Sequence, residues 1–175
     1  MTLMNLASWQ NFYVIVGAAA GSLTGLQFVV MTLVAQSGAT SSAREIRAFG
    51  TPTMVHFCTA LLISALMAAP FPAPQYLALC LAIGGAAGII YSVITIEHAR
   101  KASYHPDLGD WIWYVALPLV THLALLAAGA WIWWGADCSF WPLWLIAADS
   151  LGFLLLGIHN SWDTVTYVAI RHSGK

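Results

Sequence analysis

The sequence predicts an all-α, polytopic membrane protein: a five-helix transmembrane bundle with its amino terminus outside and its carboxyl terminus in the cytoplasm. Three observations carry that expectation. Sixty per cent of the 175 residues are hydrophobic and only 7% are charged, whereas a soluble domain of ordinary composition carries about a quarter charged residues. The chain also divides, at Gly, Pro and charged residues, into five apolar stretches, each near the ~20 residues that cross a ~30 Å hydrocarbon core as a helix. Finally, all six Lys and Arg fall on one side of the resulting up-and-down path, and basic residues stay on the cytoplasmic side.

The first stretch, 11–36, follows "MTLMNLASWQNF", which contains no Lys or Arg. The apolar run is longer than the core of a cleavable signal, so it is expected to stay as a first span. It carries "GAAAGSLTG", with Gly17, Gly21 and Gly25 at four-residue spacing. Small residues at that spacing let helix backbones approach closely in lipid, either within one bundle or between two copies. Ser22, Thr24 and Gln27 beside them can add interhelical hydrogen bonds worth ~1 kcal/mol or less each. The second stretch, 52–69, opens on Pro52, tolerated in a first turn, with Thr51 as its expected cap. The third, 75–96, contains "GGAAG", where Gly84 and Gly88 repeat the small-residue spacing. The fourth, 111–134, contains Pro118, whose missing N–H leaves the Tyr114 carbonyl without its helical partner. The fifth, 142–166, again opens on a proline, Pro142. Residues 1–175 are read as a single transmembrane domain.

Arg44 and Arg47, Arg100 and Lys101, and Arg171 and Lys175 share one side. The amino terminus and the loops at 70–75 and 135–140 carry no basic residue. Trp9, Trp131, Trp133, Trp134, Trp141 and Trp144 fall at the expected outer boundary, and Trp111, Trp113, Trp162 and Tyr167 at the inner one, as interfacial aromatic belts do. No basic patch suited to nucleic acid is present. The expected partners are the lipid bilayer and, through the glycine-rich helix faces, a candidate homo-oligomer. Cys58, Cys80 and Cys138 are odd in number without short-range pairing, so free thiols are expected.

The last span holds the least expected chemistry, "GIHNSWDTVTY". With Asp149 set at zero and 100° per residue, His159 falls at about 280°, Asn160 at about 20°, Asp163 at about 320° and Tyr167 at about 0°. Lipid does not solvate such a stripe, so it is expected to face the bundle interior or a wet cavity. Asp149 lies in the outer half of the span, and insertion there costs about 2.5–3.5 kcal/mol for a charged aspartate. From other helices, His56, Glu97 and His98 are expected at the depth of His159 and Asp163, with His122 deeper.

Four readings of these residues stand side by side. His159 and Asp163, at i and i+4, can be a hydrogen-bonded pair that ties helices together. Asp149, His159, Asn160, Asp163 and Tyr167 can line a path for protons or small ions in an oligomeric channel or transporter. His56, Glu97, His98, His122, His159 and Asp163 can furnish ligands for a metal ion or haem, although no HExxH, HxxxH or CxxCH spacing supports it and no cofactor is the leading expectation. His159 and Asp163 can serve as a catalytic base pair, although no nucleophile stands in an activating motif, so the sequence leans away from an enzyme. A structural or regulatory membrane subunit without chemistry is the remaining alternative.

"WQNFYVIVGAAAGSLTGLQFVVMTL" and "GIHNSWDTVTY" together resemble a family of small five-span bacterial integral membrane proteins. The resemblance rests on Trp9, Phe12, Tyr13, the small-residue run to Gly25 and Leu26, and Gly157, Asn160, Trp162, Asp163 and Thr166. It implies a bacterial inner-membrane location and supplies no activity. It also shifts weight from His159, which the pattern does not require, to Asn160 and Asp163.

Overall fold

The computed structural model describes residues 6–36, 51–100, 108–135 and 141–173, with the side chains at 34–35, 98–100 and 167–173 outside the description. Cys138, the side chains of His98 and Tyr167, and all six basic side chains therefore lie outside it. The described residues form five helices long and apolar enough to cross a membrane, and no strand. A 3₁₀ turn, Leu6–Trp9, leads into α1, Gln10–Gln36. Then follow α2, Thr51–Ala68, and α3, Pro74–Arg100. The fourth span, α4, runs over Leu108–Trp133, and α5 runs over Trp141–Ser173. The chain is a multi-pass membrane protein.

The helix starts follow local chemistry. Pro52 and Pro142 are the second residues of α2 and α5, where the missing N–H has no intrahelical partner to lose. Pro118 acts differently because it falls inside α4. The turn before it, Ile112–Ala116, is π-helical, and the Leu117 N–H reaches back to the Ile112 carbonyl. One widened turn absorbs the proline's missing bond and leaves α4 continuous.

The packing order differs from the chain order. α1 pairs with α2, α3 pairs with α4, and α5 packs against α1, α2 and α4. The two hairpins are thus joined mainly through the last helix, while α2 and α3, neighbours in sequence, meet only sparingly. Burial reflects this: 56% of the most apolar window of α5 is buried, against 17% for α1. Phe57, Ile63, Leu81, Leu125, Ile146 and Phe153 fill the core, each 2% exposed or less. Ile15, Phe28, Ile83, Val120 and Trp162 point outward, as a surface solvated by acyl chains requires. At one end Trp9 meets Trp144 edge to face, with ring centroids 4.8 Å apart, and so ties the start of α1 to the start of α5.

Glycines set the closest contacts, but not all those singled out by spacing. A Cβ at Gly85 would lie 2.6 Å from the Leu126 backbone nitrogen, and one at Gly129 would lie 2.8 Å from the Ala78 carbonyl oxygen. α3 and α4 therefore meet backbone to backbone at Gly85 and Gly129, while Gly88 makes room for the His122 side chain. Gly84 makes only an ordinary contact with Leu125, because the seam follows the 85/88 row rather than the 84/88 row. Gly17 packs on Ser64, whereas Gly21 and Gly25 have open space before them. Gly157 faces Phe57 so closely that a Cβ would overlap the ring, bringing α5 onto α2.

Candidate functional site

α5 buries an arc rather than a stripe. On the same angular scale the fully buried Phe153, Gly157 and Ile146 fall between about 40° and 80°, so the interior is offset from the predicted polar face. Asp149 and Asn160 lie at the near edge of that arc and are buried, at 5% and 0% exposure. His159 and Asp163 lie on the other flank, toward α4. The expectation that both carboxylates turn inward thus holds for Asp149 and fails for Asp163, which is exposed. The reason is the three-sided contact of α5, which draws its buried arc toward α2 and leaves the 280–320° flank at the α4 seam.

That flank has its own partners. The His159 ring stacks on Trp113, with centroids 3.7 Å apart and planes 5° from parallel. The Tyr114 hydroxyl donates to Asp163 Oδ2 at 3.0 Å. His159 and Asp163 therefore turn to adjacent residues of the π-helical turn in α4 rather than pairing with each other. Glu97 is exposed near the end of α3.

The interior holds a different polar set, contributed by all five helices. Gln27 of α1, His56 of α2, Ser92 of α3, His122 of α4, and Asp149, Ser150 and Asn160 of α5 are all at most 5% exposed. Some are internally satisfied. Ser161 donates to Gln27 Oε1 at 2.6 Å, and Ser150 donates to the Ala147 carbonyl at 2.8 Å. His122 Nδ1 donates to the Pro118 carbonyl at 2.6 Å, while Ser92 donates to the Gly88 carbonyl at 2.9 Å. Others are not. The Tyr13 hydroxyl, Asp149 Oδ2, both ring nitrogens of His56, Gln27 Nε2, His159 Nδ1, and both the oxygen and nitrogen of the Asn160 amide are buried without a hydrogen-bond partner among the described residues. In hydrocarbon each such group costs several kcal/mol.

Phe153 organises the centre. His56 lies 6.0 Å from its ring centroid and His122 lies 4.9 Å from it. Of the five candidate metal ligands whose side chains are described, the structure brings His56 and His122 to one shared neighbour. Among the described residues no three His, Cys, Asp or Glu side chains are grouped so as to hold a metal ion. Cys58 and Cys80 are free thiols. The interhelical hydrogen bond expected of Gln27 is present, with Ser161 of α5 as its donor; the sequence did not name that partner.

No protein-family model, curated protein or solved structure matches the chain. The chemistry of the site is read from its own side chains.

Proposed function

We propose that this protein moves protons across the membrane through the interior of the bundle, using Asp149, His56 and Asn160 as successive polar stations. One observation supports this reading above the others: these three side chains on α2 and α5 are buried with polar atoms that find no partner among the described residues. A fold that tolerates such a cost several times over in its interior is suited to polar cargo, and intramembrane ionisable residues mark ion and proton pathways. Along α5 the rise from Asp149 to Asn160 is about 16 Å, too long for one transfer. His56 breaks that distance, because its ring lies beside Phe153, which is about 6 Å along the helix from Asp149 and about 10 Å from Asn160. Phe153 and Leu156, both buried, interrupt the polar face. A hydrated ion needs a wet passage, whereas a proton can step between acid, imidazole and transient water, so protons are favoured over larger ions.

Reconstitution into liposomes with an internal pH-sensitive dye tests this reading. An imposed pH gradient is expected to dissipate through the wild type, and Asp149→Asn and His56→Phe are each expected to reduce the rate at least tenfold. Asp163→Asn is expected to leave most of it. Absence of flux at every imposed gradient, or flux indifferent to both interior variants, would falsify the proposal.

The same reading places the protein in a bacterial inner membrane with its amino terminus outside. The one-sided distribution of the six Lys and Arg supports that orientation. It also includes self-association through α1. Gly21 and Gly25 present an open small-residue face on the least buried of the five spans, a surface that a second copy can approach closely. Crosslinking in native membranes is expected to capture oligomers that Gly21→Leu and Gly25→Leu abolish, and a purely monomeric wild type would remove this part.

A further inference from the structure

The sparse contact between α2 and α3 leaves a cleft of about 290 Å³ between them. Its walls are mostly apolar, with Val55, Leu62 and Ile63 from α2 facing Leu81, Ala87 and Gly88 from α3 and Leu125 of α4 behind, while Thr59 of α2 and Tyr91 of α3 add hydroxyl-bearing side chains. The His122 ring reaches the same cleft from α4 and is itself 1% exposed. Three features fix that ring. Its Nδ1–H donates to the Pro118 carbonyl. The hydrogen of the neighbouring Ser92 hydroxyl is committed to the Gly88 carbonyl. The Cδ2–Nε2 edge lies over Gly88, where any Cβ would overlap it. With Nδ1 as the donor nitrogen, Nε2 carries the lone pair of the neutral ring.

We propose that this cleft binds a lipid-soluble hydroxyl compound, a phenol or alcohol with about the bulk of one ring, whose O–H donates to His122 Nε2. The size follows from the volume: a dry cavity of about 150 Å³ holds benzene, so this space takes a ring with a few further carbons. The entry route follows from the walls. A molecule arriving between α2 and α3 comes from the bilayer, and a charged ligand would meet apolar side chains without a counter-charge. The hydroxyl follows from the acceptors at the wall: His122 Nε2, left with its lone pair once Nδ1 donates to Pro118, and the Thr59 hydroxyl, whose hydrogen is given to the Val55 carbonyl; an acyl chain would use neither. This site is separate from the Asp149, His56 and Asn160 route, none of whose residues lines the cleft.

Cys80 lines the cleft and Cys58, on the outer face of α2, does not. In nanodiscs, 4-pentylphenol is expected to slow alkylation of Cys80 by a membrane-permeant maleimide while leaving Cys58 unaffected, as read by peptide mass spectrometry. Its methyl ether, 4-pentylanisole, keeps the shape and lacks the donor. Protection by the ether is expected to require roughly fivefold higher concentration, the loss of about one neutral hydrogen bond. In ¹⁵N-histidine-labelled protein, the phenol and not the ether is expected to shift the His122 Nε2 resonance. With His122→Phe the two probes are expected to become equivalent. Equal effects of phenol and ether on the wild type, or no effect of either on Cys80 or on the nitrogen resonance, would overturn the proposal. The wild-type comparison decides this even if the variant does not fold.

Discussion

The His122 ring of α4 lies over the α-carbon of Gly88 in α3, so closely that no side chain larger than hydrogen fits between them. That contact joins the backbone seam of α3 and α4 to the polar interior, because the same ring donates to Pro118 and packs against Phe153. Gly88→Ala is expected to displace the ring and destabilise the protein by about 1–3 kcal/mol, the range for overpacked cores. Gly21→Ala, with nothing within 4 Å of the added methyl, serves as the control. Thermal unfolding in detergent should separate the two, and equal melting points would place the His122 ring elsewhere.

The Ser161 to Gln27 hydrogen bond connects α5 to α1 at 2.6 Å. Ser161→Ala alone would strip a buried amide of its side-chain partner among the described residues, at a cost of about 1–3 kcal/mol. Removing both polar groups, as in Ser161→Ala with Gln27→Met, should recover most of the loss, since a shape-matched apolar pair leaves nothing unsatisfied. A double-mutant cycle measures this directly. Purely additive losses would mean that the bond contributes nothing.

Stacking on Trp113, rather than a pairing with Asp163, positions His159. His159→Phe is expected to retain the α4–α5 contact, while His159→Ala should lose about 0.5–1.5 kcal/mol beyond the buried area. Stability measured for both variants tests the assignment. An equal loss in His159→Phe would show that the imidazole nitrogens matter more than the ring face.

Tyr114 and Asp163 meet across the α4–α5 seam through one hydrogen bond of 3.0 Å. Because Asp163 is exposed, Tyr114→Phe is expected to cost only about 0.5–1.5 kcal/mol and to leave proton flux nearly unchanged. A collapse of flux in Tyr114→Phe would move the conducting route to this flank.

Orientation is open to a chemical test through Cys138, which falls in the stretch 135–140, free of Lys and Arg. An impermeant thiol reagent added to intact cells is expected to label Cys138. Labelling only after the cells are permeabilised would invert the proposed topology.

The sequence alone determined that there are five apolar helices, because hydrocarbon rewards one thing, an uninterrupted apolar helix about as long as the bilayer is thick. It also determined that Asp149 and Asn160 are interior residues, since lipid would not accept either. Tertiary structure alone decided the neighbours. Without a hydrophobic contrast between helix and lipid, the periodicity of an apolar span does not mark its packed face. α5 could therefore be wedged between two hairpins without any sign in its pattern, and its buried arc lies off the polar stripe. For the same reason Gly85 and Gly129, rather than Gly84, make the close seam, and Asp163 ends beside Tyr114 instead of in the core. Which helix backbones touch is settled by shape at atomic contact, and that information resides in pairs of helices, not in any one of them.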